Sequence, residues 1–95
     1  MKRLRLSPAA AADLDSIWDY TATHWDVNQA DQYTDELQAA CEALAAGKKT
    51  GRPVDLRPGT LKVLVGAHMV YFRESDTTLD VIRILHGRQD VSRHL

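Results

Sequence analysis

Between Ala9 and Gly47 the chain has no lysine and no arginine. Eight acids fall in that stretch: Asp13, Asp15, Asp19, Asp26, Asp31, Asp35, Glu36 and Glu42. All 12 basic residues lie elsewhere, against five of the 13 acids, so a net charge of −1 conceals two regions of opposite sign. An anionic partner is steered to the basic region. Other scarcities exclude whole classes of chemistry. Cys41 is the single cysteine. It rules out an internal disulfide and a cysteine-rich zinc site, and its place on an apolar stripe makes it a core residue rather than a nucleophile. His24, His68, His86 and His94 fall on four separate elements with no cysteine or glutamate at ligand spacing, so no metal or other cofactor is expected. The five glycines match no phosphate-binding loop. No apolar run reaches the roughly 20 residues of a membrane span. Met1 to Leu6 is basic without an apolar segment behind it. No secretory signal is therefore expected, and the cytoplasm is the expected compartment.

At 95 residues there is room for one domain, residues 1–95, with one modest core. Lys2 to Leu6 alternates basic and apolar residues, as a short half-buried strand does. Ser7-Pro8 is a helix start, since serine caps free N–H groups and proline in the first turn sacrifices none. Leu14, Ile17, Trp18, Ala22 and Trp25 follow as one apolar stripe. After a corner at 25–27, Asn28 is the expected cap of a second helix, with Asp31 in a capping-box position. Its stripe is Ala30, Tyr33, Leu37, Ala40, Cys41 and Leu44, and Gly47 is its expected left-handed terminator.

Asp15/Asp19 and Asp31/Asp35 are like-charge pairs four residues apart, with no lysine nearby, so the hairpin must be stabilised by packing on the second half. Residues 48–59 form a loop rich in Gly, Pro and cations. Strands are expected at 61–65, 68–74 and 79–85, followed by a short polar C-terminal segment. The expectation is an α+β domain: an N-terminal strand and an antiparallel two-helix hairpin packed on a three- to four-stranded antiparallel sheet. Lys62, Arg73 and Arg83 fall on adjacent strands, so some of them are expected to converge on the face away from the hairpin; Arg57 lies in the loop, and His86, Arg88 and Arg93 in the tail. Guanidinium clusters of this kind suit phosphate or carboxylate partners.

Several stretches together resemble the ParE toxins of the ParE/RelE toxin–antitoxin superfamily. They are Leu6-Ser7-Pro8 with Ala12-Asp13-Leu14 and Ile17-Trp18; Trp25; Gln29-Ala30 with Tyr33 and Leu37; Gly51-Arg52; Arg57-Pro58-Gly59; and His68 with Tyr71-Phe72-Arg73. The most specific is Ile82-Arg83-Ile84-Leu85-His86 leading into Arg88, Asp90, Val91 and His94-Leu95. The resemblance spans nearly the whole chain and implies the same strand–helix–helix–sheet fold. It departs from the family after the loop, where relatives often carry a basic Gly-Tyr-Arg and this chain has Gly59-Thr60-Leu61-Lys62.

The resemblance implies a toxin that traps DNA gyrase on cleaved DNA without doing chemistry itself, neutralised by a ParD-like antitoxin whose disordered tail folds on the toxin. No membrane and no sequence-specific nucleic acid contact is implied, and a dimer or higher hetero-oligomer with the antitoxin is compatible with it. The expected gyrase contacts are Arg83, His86, Arg88, Asp90 and Arg93. The expected antitoxin contacts are Arg57, Lys62, Arg73, Trp18 and Tyr71. The alternative in the superfamily is a RelE-type ribosome-dependent mRNA endonuclease, for which His86, Arg88 and His94 would be the catalytic candidates. Against it, the last tyrosine is Tyr71, and an isoelectric point of about 6.4 is poor for docking on RNA.

Overall fold

Ser7 opens the first helix as its chemistry dictates: its hydroxyl oxygen accepts the Ala10 N–H at 2.9 Å, with Pro8 leading the first turn. The structure, a computed structural model, describes every residue except Leu56 and Asp90. The elements are β1 (Arg3–Leu6), α1 (Pro8–His24), α2 (Val27–Ala45), β2 (Arg52–Pro53), β3 (Leu61–Val65), β4 (His68–Glu74) and β5 (Thr78–His86), then a 3-10 turn at Val91–Arg93. No helix among the described residues is long and apolar enough to cross a membrane.

The second helix starts two residues earlier than expected. Asp26, not Asn28, is the cap: its backbone is extended and its carboxylate accepts the Gln29 N–H at 2.7 Å. A charged acceptor satisfies the free N–H groups at least as well as an amide, and it leaves only Trp25 and Asp26 between the helices. Gly47 terminates α2 with φ +75°. The Lys48 N–H reaches Ala43 O and the Gly47 N–H reaches Leu44 O, closing the helix end in a Schellman arrangement. Trp25 does not continue the apolar stripe of α1; the backbone leaves the helix there and the residue is 75% exposed. Thr21 is buried instead, with its hydroxyl donating to Ile17 O at 2.8 Å.

The sheet is five-stranded and mixed, in the order β1-β5-β4-β3-β2, where three or four antiparallel strands were expected. Two features account for the difference. The helical hairpin is a crossover long enough to bring β1 parallel to β5, with Arg3 opposite Thr78 and Leu6 opposite Val81. Within the 48–59 loop, Arg52 and Pro53 pair with Lys62 and Leu61 and add a two-residue edge.

The main core lies between hairpin and sheet: Ala10, Ile17, Leu37, Cys41 and Leu44 meet Val70, Phe72, Leu79, Val81 and Ile84. Burial, helped by the neighbouring Glu42, pushes the Cys41 thiol up to about 11, so it is a packing residue at neutral pH. On the opposite face Val54, Tyr71 and Leu85 form a smaller cluster, covered by Met69 and by Val91 and Leu95 of the C-terminal segment.

A bulge in the β4–β5 ladder sets the geometry of this sheet. Phe72 pairs with Val81 but Tyr71 pairs with Arg83, leaving Ile82 as the extra residue. Beyond the end of β1 the backbone of β5 has no strand partner on that side, and the start of α1 supplies one. The Ser7 N–H donates to Val81 O at 2.9 Å, the Ser7 hydroxyl donates to Ile82 O at 2.6 Å, and the Ile84 N–H donates to the Asp13 carboxylate at 2.9 Å. Arg83 closes the arrangement with two parallel bonds to Asp13, each 2.8 Å. Both side chains are mostly buried, 23% and 13% exposed. Removing Asp13 leaves a backbone N–H and a guanidinium without their acceptor. Asp13→Ala should therefore lower unfolding stability by about 2–3 kcal/mol in urea titration. A loss below about 0.5 kcal/mol would show that the clamp is incidental.

Candidate functional site

The turn at Gly66-Ala67 brings three rings together at one end of the sheet. Gly66 adopts φ +58°, and a Cβ placed on it would lie 2.8 Å from the Tyr33 ring, so only glycine lets α2 approach here. The Tyr33 hydroxyl accepts the Ala67 N–H at 3.1 Å and lies 2.6 Å from His68 Nδ1. His86 is the register partner of His68, its ring edge-on at 5.4 Å. His86 Nδ1 accepts the Arg88 N–H at 3.2 Å, which places the proton of the neutral ring on Nε2. The His86 N–H is held by the Gln89 side chain at 2.6 Å.

Both imidazoles line a groove between this end of the sheet and α1. One part, about 440 Å³, is bounded by Ser16, Ile17, Tyr20, Thr21, His68 and His86. An adjoining part, about 280 Å³, shares Tyr20, Thr21 and both histidines and continues to Trp25, Gln29, Tyr33 and Ala67. Its rim is aromatic and open, with Tyr20 62% exposed and stacked on His24 at 3.9 Å. Burial, with a smaller contribution from His86, holds the His68 pKa below its ordinary value, and Asp13 offsets this in part. His68 is thereby favoured as a neutral imidazole at the wall of the groove. Among the described residues no three potential ligands converge to hold a metal ion.

The residues expected to contact gyrase differ in what the fold asks of them. Arg83 is tied to Asp13, with a further bond to His94 O at 3.4 Å, which anchors the C-terminal segment. His86 and Arg88 are exposed at the groove end, and Arg93 lies on the 3-10 turn. Asp90 lies outside the described residues. Of the expected antitoxin contacts, Arg57 and Arg73 come together around a pocket of about 190 Å³ with Thr60, Ile82 and Leu95. Lys62 and Tyr71 are register partners on the same sheet face. Tyr71 is only 7% exposed, beneath the C-terminal segment, and burial raises its pKa. Trp18 is elsewhere: its indole N–H donates to Asp31 at 2.8 Å and fastens α1 to α2. Sequence reasoning placed Tyr33 on a core stripe and treated the histidines as scattered. The cluster was missed because it depends on the bulge.

Two helices laid on a five-stranded mixed sheet that opens with the N-terminal strand define the class: an α+β toxin fold of the RelE/ParE type. This backbone is similar to the chromosomal ParDE toxin–antitoxin system of P. aeruginosa, with a TM-score of 0.80 at 24% identity over 90% of this chain and 96% of that one. It is also similar to the E. coli DinJ–YafQ complex, with a TM-score of 0.66 at 13% identity over 90% and 93%. Sequence takes the assignment further. The chain belongs to the ParE toxin family of type II toxin–antitoxin systems, whose family model matches residues 4–91. It is 47% identical over 95 residues to Toxin ParE1 of Mycobacterium tuberculosis, covering 98% of this chain and 97% of that protein. It is 41% identical over 96 residues to Toxin ParE1 of Caulobacter vibrioides, covering 100% and 99%.

The histidine cluster makes a pH prediction. A folded-state pKa below the ordinary 6.5 means that the fold favours neutral His68, so its contribution is complete above 6.5. That contribution is lost as pH falls from there towards the lower folded value. The urea midpoint should drop between about pH 7 and pH 5, and His68→Gln should flatten that drop. Parallel pH profiles for the two proteins would remove His68 as the titrating group.

Proposed function

We propose that this chain inhibits DNA gyrase, trapping it on cleaved DNA with no chemical step of its own, and that a ParD-like antitoxin holds it inactive. The observation that carries the reading is the ParE family match across residues 4–91. Such a target places its action in the cytoplasm. Inhibition by binding needs accessible contact residues rather than an assembled nucleophile and base. His86 and Arg88 are accessible in this way, and Arg93 and Asp90 follow on the same segment. Arg83 acts at one remove, by fixing the C-terminal segment that carries them. The aromatic-rimmed groove between α1 and the sheet is the seat for apolar side chains of the folding antitoxin, whose acids reach Arg57 or Arg73. Coupled folding of this kind is costly in entropy and is reversed when the antitoxin is degraded.

Purified toxin added to gyrase, ATP and plasmid should yield linear plasmid, while mRNA on translating ribosomes stays intact. Cut mRNA with normal supercoiling would instead make the chain a RelE-type endonuclease, with His86, Arg88 and His94 as its candidates. Arg88→Ala should weaken gyrase inhibition about tenfold without changing the melting temperature, since among the described residues it is the Arg88 backbone, not its side chain, that is bonded in the fold. Inhibition at wild-type potency would take Arg88 out of the contact. Arg73→Glu should weaken antitoxin binding by about tenfold or more, and an unchanged Kd would remove Arg73 from that interface.

A further inference from the structure

Arg52 and Lys62 stand directly opposite each other across β2 and β3, with both side chains on the sheet face away from the helices. Like charges in that position destabilise a sheet, and among the described residues no carboxylate lies within 4 Å of either. Elsewhere the fold pairs cations with acids: Lys2 with Glu74, Arg5 with Asp80, Arg83 with Asp13. The uncompensated pair continues into two more cations. Arg73, on the same face, is anchored by Nε to Thr60 Oγ1 at 3.2 Å and by Nη2 to Pro58 O at 2.9 Å, which leaves guanidinium donors to spare. Arg57 shares the lining of its pocket.

We propose that the corner formed by Arg52, Lys62, Arg73 and Arg57 binds the phosphate backbone of duplex DNA. A row of cations at strand spacing, with Arg73 held in place by Thr60 and Pro58, suits a repeating anion, which each guanidinium can contact bidentately. A single strand is disfavoured, because the aromatic in the row, Tyr71, is buried under the C-terminal segment and closed to base stacking. Seven of the eight acids between Ala9 and Gly47 lie on the two helices on the other side of the sheet and the eighth, Asp26, caps the second of them, so the molecule's own field orients the corner towards a polyanion. The choice of DNA among polyanions rests on the gyrase reading above: DNA is the anion that a gyrase-bound toxin meets.

The test is fluorescence anisotropy with a duplex of about 20 base pairs across a salt series, using wild type and the double variant Arg52→Gln/Lys62→Gln. Each phosphate contact contributes about −0.9 to the slope of log K against log salt. The double variant should lose about two units of slope and at least about tenfold in affinity at low salt, with its melting temperature held or raised by removal of the repulsion. Equal duplex affinity in the two proteins, or no duplex binding by wild type at low salt, overturns the proposal. So does a preference for single-stranded RNA over duplex. Loss of binding to a polyglutamate peptide with duplex binding unchanged would leave the corner to acidic chains alone, such as the antitoxin's, and would overturn the proposal as well. Gyrase supercoiling run in parallel separates the two readings. Poisoning by a wild type that has no duplex affinity sinks only the surface, and duplex affinity lost in the variant, with wild type inert on gyrase, sinks only the gyrase reading.

Discussion

The extra residue in β5, Ile82, is the constraint on which the rest of the structure depends. From Glu74 opposite Leu79 to Phe72 opposite Val81 the β4–β5 ladder is regular. Continued unbroken, it would set His68 against Leu85. The bulge moves every later pair by one, so that His68 meets His86 and Tyr71 meets Arg83. It also lets Val81 and Ile84, three residues apart, both face the helices, which plain alternation forbids. A bulge in a strand without a partner on one side leaves backbone groups to satisfy, and leaving each unmet costs about 1–3 kcal/mol. Ser7 and Asp13 meet that need from the first turns of α1, and in doing so they fix the helix against the sheet.

The clamp reaches beyond the edge it seals. Asp13 orders Arg83, Arg83 holds the carbonyl of His94, and the C-terminal segment then lies over Tyr71, Val54 and Leu85. One carboxylate thus joins helix, central strand and tail, and divides the exposed surface in two. On the helix side is the groove with its aromatic rim and paired histidines. On the other side is the basic corner built on β2, β3 and the loop before β3. A partner can cover either without displacing the residues of the clamp.

Local chemistry was legible in the sequence. Ser7-Pro8, Gly47, the stripe of α2 and the strands at 61–65 and 68–74 are each decided by neighbours within a few residues, and the structure has them in place. What depended on distant partners was not legible. Asp13 and Arg83 are 70 residues apart, and nothing in either neighbourhood marks them as a pair. The parallel pairing of β1 follows from the path of the whole hairpin. Asp26 outcompeted Asn28 because the cap was decided by which residue left the first helix in an extended conformation. Of the expected contact residues, Arg57 and Arg73 do meet, whereas Trp18 and Tyr71 are used by the fold itself.

The charge pattern that the sequence announced takes on a physical meaning in the folded chain. The acids of α1 and α2 repel one another along each helix, and the hairpin is held by its apolar stripe, by the Trp18–Asp31 bond and by the clamp rather than by ion pairs of its own. Keeping lysine and arginine off both helices gives up the few tenths of a kcal/mol that each intrahelical pair would contribute. It leaves the cations concentrated on the strands and loops. Arg52 facing Lys62 gives up stability in the same way, at the point where that concentration is greatest. Both sacrifices have the same consequence: a small protein of nearly zero net charge carries a strong local field, which lets it orient towards a charged partner without being drawn to every polyanion it meets.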